Sequence, residues 1–161
     1  MLEGNRGAYV PPDGGESVWL VGDLIEVRLS AEDTGGAYSM IEETTPPGGG
    51  PPPHLHANED EAFCVLEGEV EFLLGEDTVP AGVGTCVHAP KGTLHTFRNV
   101  GTSPSRVLAV ITPGGFEGFF LDVTRELLRV LKPTGSFYYH CDWHASRKLA
   151  ARSESREEFA I

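Results

Sequence analysis

Short segments with strand character, separated by glycine- and proline-rich turns, recur at even spacing between residues 17 and 112. The first two, SVWLV (17–21) and LIEVRLS (24–30), bracket a Gly22-Asp23 turn. In the second, Ile25, Val27 and Leu29 alternate with polar residues, the pattern of a strand with one buried face. Roughly eight such strands joined by turns predict an all-β barrel or sandwich.

The other strand segments follow the same pattern and lie at 37–43, 61–68, 69–75, 83–90, 94–100 and 106–112. The segments EAFCVLEG (61–68) and EVEFLLG (69–75) meet at Gly68, which predicts a hairpin there. For the segment 37–43 the pattern does not decide which face points inward.

The hydrophobic period changes after residue 113. Apolar residues from Phe116 to Leu131 recur at helical spacing, and Pro133 ends this predicted helix. An aromatic cluster, a candidate short helix and a charged tail follow. The sequence thus predicts an N-terminal extension (1–16), a β-barrel domain (17–112) and a C-terminal helical extension (113–161).

Charge and composition exclude several classes of partner. The formal net charge of −12 over 161 residues argues against a nucleic-acid partner, and no helix-turn-helix segment is evident. No apolar run is long enough to span a membrane, and the first fifteen residues contain no apolar signal segment. A cytoplasmic location is therefore expected.

The three cysteines, Cys64, Cys86 and Cys141, are odd in number and scattered, without zinc-finger or redox spacing. This predicts reduced thiols, with Cys64 and Cys86 acting as small packing residues.

The stretch PPPHLHANEDE (51–61) carries the strongest chemical signal. His54 and His56 fall on one face of an extended chain, and Glu61 shares a strand face with Phe63, whereas Asp60 points to the other face. Two imidazoles and a carboxylate suit a borderline divalent metal.

A third imidazole is expected from a later strand, where His88 and His95 are the candidates. His88 shares the outward face of its strand with Cys86, whereas His95 is in phase with Phe97. Strand phase therefore favours His95, and the alternative is a metal-free barrel with hydrogen-bonded histidines.

At these positions the sequence resembles the cupins. Their motifs G-x5-H-x-H-x4-E-x6-G and G-x5-P-x-G-x2-H-x3-N are matched at Gly48, His54, His56, Glu61 and Gly68, and at Gly84, Pro90, Gly92, His95 and Asn99. The resemblance implies a double-stranded β-helix, or jelly roll, that commonly forms homodimers. It also implies one divalent transition metal, with Fe(II) as first choice and Mn, Ni, Co, Cu or Zn as alternatives, held by His54, His56, Glu61 and His95.

Among cupins the chain looks most like quercetin-2,3-dioxygenase-like proteins. Aromatic and thioether side chains are candidates for the substrate pocket, and they are Tyr38, Met40, Phe63, Phe72, Phe97 and Phe119. With no Arg or Lys on the apparent inner face, such a pocket suits a planar aromatic or enolic molecule better than a sugar phosphate.

Three function classes follow. The first is a metal-dependent oxygenase in which Glu61 also serves as base, as proposed for similar flavonol-cleaving cupins. The second is a redox-neutral isomerase, cyclase or decarboxylase, and the third is a non-catalytic small-molecule or metal-binding module. A separate zinc site at His140 and His144, spaced as on a helix, is a minor alternative.

Overall fold

The computed structural model describes residues 7–20, 22–122, 136–140 and 146–150. Within residues 16–112 the chain forms two antiparallel sheets and one short helix, α1 (Ala31–Thr34). The strands are β1 (Glu16–Leu20), β2 (Asp23–Leu29), β3 (Ser39–Thr45), β4 (Asp60–Glu67), β5 (Glu69–Leu74), β6 (Asp77–Gly82), β7 (Cys86–Ala89), β8 (His95–Asn99) and β9 (Ser105–Thr112).

The larger sheet has the order β1-β2-β3-β9-β4-β7, and the smaller sheet has the order β6-β5-β8. Strand β9 lies between β3 and β4, so strands distant in sequence become neighbours. The architecture is the double-stranded β-helix, which confirms the predicted all-β fold.

Two turns show how local sequence does and does not fix the pairing. The predicted first hairpin is confirmed, since β1 and β2 pair with Leu20 opposite Asp23. The hairpin predicted at Gly68 is wrong, because β4 pairs with β7 and β9, whereas β5 pairs with β6 and β8. Gly68 instead carries the chain between sheets, and a Cβ there would approach Ser105 Cα to 2.9 Å.

The main core fills the space between the two sheets. Phe63 of β4, Phe72 of β5 and Phe97 of β8 are buried, with ring centroids 5.3 to 6.2 Å apart. A second buried group, Val18, Ile25, Ile41 and Ile111, lies on the inner face of the larger sheet.

The outer face of the larger sheet carries an ion-pair network. Glu42 of β3 accepts hydrogen bonds from Arg28 Nε at 3.2 Å and from Arg106 Nε at 2.7 Å. Met40 has the same strand phase as Glu42, so it also faces outward rather than toward the barrel interior.

The cysteines differ from the prediction. Cys64 of β4 lies directly opposite Cys86 of β7, with their Cα atoms 4.3 Å apart, and the two form a disulfide. The reduced state expected for this pair is therefore wrong in the structure. Sequence spacing conceals the pairing, because only the register of β4 against β7 brings together residues 22 positions apart.

The C-terminal region is only partly helical in the described residues. A helix, α2, is described at residues 117–122, where the apolar period indicated one. Further on, β10 (Ser136–His140) pairs with β11 (Ser146–Ala150), which corrects the helical segment expected there. Aromatic residues in the sequence SFYYH favour a strand, and β11 pairs with it where a short helix was expected after the aromatic cluster.

Two further points concern this part of the chain. Residues 123–135 and His144 lie outside the described residues, and with them the rest of the predicted helix and the alternative zinc site. No helix in the described ranges is long and apolar enough to cross a membrane.

Candidate metal centre

Three imidazoles and one carboxylate converge at one end of the barrel. They belong to His54, His56, Glu61 and His95, and one ligand atom of each lies within 4.8 Å of the others. Glu61 is near the start of β4, and His95 is the first residue of β8. Strands from both sheets therefore supply the group.

The two loop histidines are tied to the smaller sheet by backbone bonds. His54 N donates to His95 O at 3.0 Å, and His95 N donates to His54 O at 2.8 Å. His56 O accepts from Gly92 N at 2.7 Å, where Gly92 adopts a positive φ of 78°. The prolines before His54 keep this segment extended, so both imidazoles can turn the same way.

Backbone carbonyls set the tautomers of two histidines. His54 Nδ1 lies 2.9 Å from Pro52 O, and His95 Nδ1 lies 2.8 Å from Thr93 O. A carbonyl oxygen can only accept, so Nδ1 carries the hydrogen in both rings. The lone pair of each Nε2 is then available to a ligand, which is the arrangement that metal-binding histidines use.

The carboxylate of Glu61 lies against two of the imidazoles, and one of them is His95, whose Nε2 carries a lone pair. Glu61 Oε2 lies 2.7 Å from His95 Nε2 and 3.1 Å from His56 Nε2. Two lone-pair atoms at such distances repel unless a positive charge lies between them. That charge can be a proton or a metal ion.

The pKa values show the same competition. Burial acts to raise the pKa of Glu61, but contacts with His56 and then His95 outweigh it and hold the pKa at about 2. Burial acts to lower the pKa of His95, but its bond to Glu61 raises it overall. Burial dominates for His54 and lowers its pKa, which keeps that imidazole neutral and able to bind a metal.

His56 provides an independent test of whether a metal fits. Its Nε2 is buried, and no group in the described residues meets hydrogen-bond geometry with it. Glu61 Oε2 lies 3.1 Å away without hydrogen-bond alignment, and coordination to a metal would satisfy this buried nitrogen. The donor set, three nitrogens and one carboxylate, therefore fits a divalent transition metal.

The competing residues lie elsewhere. Asp60 Oδ1 accepts a hydrogen bond from Lys91 N at 2.8 Å and takes no part in the group. His88 is exposed on the outer side of β7. The structure thus places Glu61 and His95, as strand phase predicts, in the cluster.

The predicted pocket residues divide into three sets. Phe63, Phe72 and Phe97 belong to the main core, and of these Phe63 is 5.9 Å from the ring of His95. Met40 faces away from the interior. Tyr38 and Phe119 are exposed.

Sequence reasoning missed Phe116 as a neighbour of the centre. Its ring centroid lies 4.4 Å from that of His56, with the rings nearly perpendicular at 83°. The sequence marks Phe116 only as the start of an apolar helical period, so contact with His56 could not be read from it.

Glu43 was also missed. Ser39, Ile41 and Thr45, which share its strand phase, are fully buried, so Glu43 points into the barrel. Burial, then the charges of Asp23 and Glu61, raise the pKa of Glu43 to about 8. The inner face therefore carries an acidic group that the prediction of a pocket with few charges did not include.

Comparisons with known proteins agree with this fold. A family model described as the cupin domain matches residues 41–111. An uncharacterized protein of Aquifex aeolicus (strain VF5) is 36% identical over 66 residues, which cover 41% of this chain and 53% of the relative. The match thus spans about half the length of that relative.

Three solved structures are similar. KdgF from Halomonas sp. has a TM-score of 0.63 at 17% identity, with 70% of this chain and 98% of that chain covered. The polyketide cyclase RemF from Streptomyces resistomycificus has a TM-score of 0.59 at 21% identity, covering 66% and 79%. A predicted oxalate decarboxylase from Thermotoga maritima has a TM-score of 0.53 at 28% identity, covering 60% and 89%. Residues 41–111 thus match the cupin domain, and the chain shares the fold of these solved structures, which supports a place in the cupin superfamily.

Proposed function

We propose that this protein is a metal-dependent enzyme, an oxygenase that acts on a small aromatic or enolic molecule in the manner of quercetin-2,3-dioxygenase-like cupins. The observation that carries the proposal is the convergence of His54, His56, Glu61 and His95, whose ligand atoms all lie within 4.8 Å of one another. Fe(II) is the first choice of metal, and Mn, Ni, Co, Cu and Zn suit the same donors.

When bound, such an ion supplies a Lewis acid and, if it is redox-active, a route to oxygen chemistry. The protein supplies orientation and proton handling. The carbonyls of Pro52 and Thr93 fix two imidazoles, so they need not reorganise during the reaction.

Glu61 is the proposed proton acceptor. With a pKa of about 2 its carboxylate is ionised at neutral pH, and Oε2 can receive the proton of a phenolic or enolic hydroxyl. That low pKa makes Glu61 a weak base, so the proposal requires the substrate hydroxyl itself to be acidified at the site. Glu43, with a pKa of about 8, is another inward carboxyl, and it can exchange a proton near neutral pH.

The surroundings favour an uncharged or enolic ligand over a phosphate. In residues 22–122, Arg28 and Arg106 bind Glu42 on the outer face, and Lys91 and Arg98 are exposed. A phosphate would need such a cation at the site. The ring of Phe116 instead offers an apolar edge beside His56.

The test is oxygen consumption by protein loaded separately with Fe(II), Mn, Co or Ni, using catechol, a flavonol and acetylacetone as probes. We expect oxygen consumption with at least one combination of metal and probe. This consumption should be retained in His88→Ala and lost in His95→Ala. Turnover that continues unchanged under argon would contradict an oxygenase.

A redox-neutral enzyme is the second candidate, since the same donor set serves Lewis-acid chemistry without oxygen. The similarity to structures described as a polyketide cyclase and a predicted oxalate decarboxylase favours testing it. A non-catalytic binding module is the third, and stabilisation by the probes without chemical change would identify it.

Assembly and location remain predictions. A homodimer is proposed from the resemblance, and a mass of one chain by light scattering would contradict it. The cytoplasmic location is opposed by the Cys64–Cys86 disulfide, because such bonds persist mainly in oxidising compartments.

A further inference from the structure

Aromatic rings lead from the metal centre to the protein surface. His56 is buried, Phe116 packs against its ring at 4.4 Å, and Phe119 stacks on Phe116 at 5.7 Å with an interplanar angle of 19°. Phe119 is 41% exposed, so burial decreases along the series. The side of the centre next to His56 is therefore bounded by Phe116.

A buried carboxylate holds the backbone next to this ring. Glu117 is only 6% exposed and directly follows Phe116. Its Oε1 accepts from Ala31 N at 2.6 Å, and its Oε2 accepts from Gly115 N at 2.9 Å and from the hydroxyl of Ser39. Glu117 thus ties the start of α2 to α1 and β3.

The carboxylate of Glu117 accepts more hydrogen bonds than are needed to pack a helix end against the barrel. A buried carboxylate is costly unless donors surround it, and here the donors come from three separate segments. Burial acts to raise the pKa of Glu117, but these bonds lower it, so the group is ionised and fully used as an acceptor. Glu117 is not among the four clustered residues, and its hydrogen bonds to Ala31, Ser39 and Gly115 suit it to positioning rather than chemistry.

The backbone just before Phe116 is fixed as well. Gly114 N donates to Gly36 O at 3.0 Å, and a Cβ at Gly114 would come within 2.8 Å of the backbone of Tyr38. Residues 114–117 are thus anchored on both sides of the ring. Phe116 has little freedom to move away from His56.

We propose that Phe116 is a specificity-determining residue of the metal centre, and that Glu117 is the positioning residue that holds its ring beside His56. A fixed flat wall favours planar aromatic or enolic ligands and disfavours ligands with bulky, non-planar substituents. The inference rests on the proposed metal site and narrows the class of ligand that this site admits.

The experiment uses the full chain loaded with Co(II), whose absorption spectrum reports both metal occupancy and ligand binding. The probes are azide, which is too small to need the wall, 4-nitrocatechol, which is planar, and 4-tert-butylcatechol, which is bulky. Dissociation constants are compared for the wild type, Phe116→Ala, Phe116→Leu and Glu117→Gln, with Phe119→Ala as the matched control one ring further out.

We expect Phe116→Ala and Phe116→Leu to weaken the binding of 4-nitrocatechol by about three- to tenfold, which is the usual effect of losing an aromatic contact. The preference of the protein for 4-nitrocatechol over 4-tert-butylcatechol should become smaller in both variants. The affinities for azide and for Co(II) should stay within about twofold of the wild-type values in all variants. The affinity of Phe119→Ala for 4-nitrocatechol should also stay within about twofold of the wild-type value. Glu117→Gln should shift the preference in the same direction as Phe116→Ala, because its amide nitrogen cannot accept from Gly115 N and Ser39.

Phe116→Leu retains apolar volume and keeps the test valid if the alanine variant does not fold. Unchanged preference between the two catechols in both Phe116 variants would overturn the inference while leaving the metal site intact. Wild-type protein that binds no Co(II) would overturn the proposed function itself and the inference with it.

Discussion

At the residue scale, the metal centre depends on which strand face each acidic residue occupies. Glu61 and Asp60 are adjacent in sequence, but only Glu61 Oε2 reaches His56 and His95. Asp60 instead accepts from the backbone of Lys91. The two side chains therefore have separable roles.

Glu61→Gln keeps the shape of the side chain and removes its charge, so it should reduce metal affinity by about tenfold or more. Asp60→Asn retains Oδ1 as an acceptor for Lys91 N and should bind metal as tightly as the wild type. Metal content after dialysis, measured by mass spectrometry, checks both. Greater loss in Asp60→Asn than in Glu61→Gln would mean that the ligand lies one residue earlier.

The inward carboxyl of Glu43 makes the stability of the protein depend on pH. Its pKa is raised from 4.5 to about 8, so between these values the unfolded chain releases a proton that the folded protein retains. The contribution of this group to stability is therefore full below pH 4.5, decreases as the pH rises toward 8, and levels off above it.

Glu43→Gln cannot ionise and should remove this decrease. At pH 8 to 9 the metal-free variant should be more stable than the wild type by about 1–3 kcal/mol, a value reduced for partial solvent access. Urea unfolding at several pH values measures it, with Glu71→Gln as the matched change at an exposed strand position. A stability difference that is constant from pH 5 to 8 would show that folded Glu43 is charged.

At the element scale, the period of two was informative wherever one face of a strand is clearly apolar. In β4 it put Glu61, Phe63 and Val65 on the inner face, and all three are buried. The period of two did not decide which face of β3 points inward, because both faces of that strand mix polar and apolar residues. The structure turns Ile41 and Glu43 inward and Met40 outward, which only pairing with β2 and β9 decides.

Contacts between distant elements were the part that sequence could not supply. The ring of Phe116 on His56 and the bond from Ala31 to Glu117 join residues far apart in the chain. Their local patterns indicate a helix start and a loop, and nothing more. The Cys64–Cys86 pair belongs to the same class, because it depends on the register between β4 and β7.

The disulfide gives a direct prediction for these two strands. Denatured protein kept free of reductant should show no more than one thiol per chain, and reduction should reveal all three cysteines. Cys64→Ser should lower the free energy of unfolding by about 2–4 kcal/mol, because the cross-link no longer restricts the unfolded chain. Thiol titration and urea unfolding measure these effects.

Cys141→Ser is the control, since it should remove the remaining thiol and leave the pair intact. Three reactive thiols in protein prepared without reductant would restore the reduced state that the sequence suggested.

At the scale of the whole molecule, the candidate metal centre takes residues from both sheets of the barrel. Glu61 comes from the larger sheet and His95 from the smaller one, and His54 is bonded to His95 through the backbone. A metal shared by these residues would act as a cross-link that the unfolded chain lacks. Metal binding and folding should therefore be coupled.

The expected result is a higher melting temperature when metal is added to chelator-treated protein. At one hundred times the dissociation constant, binding to the folded state adds about 2.7 kcal/mol, which corresponds to a rise of about 5–11 °C for a chain of this size. The melting temperature of His88→Ala, a change on the exposed side of β7, should rise on metal addition as much as that of the wild type. The melting temperature of His95→Ala should rise little, because His95 is the one of the four proposed ligands that belongs to a strand of the smaller sheet. Calorimetry with and without Co(II) measures the difference. An equal rise in His95→Ala would show that the ion stabilises the protein at some other place and does not link the two sheets.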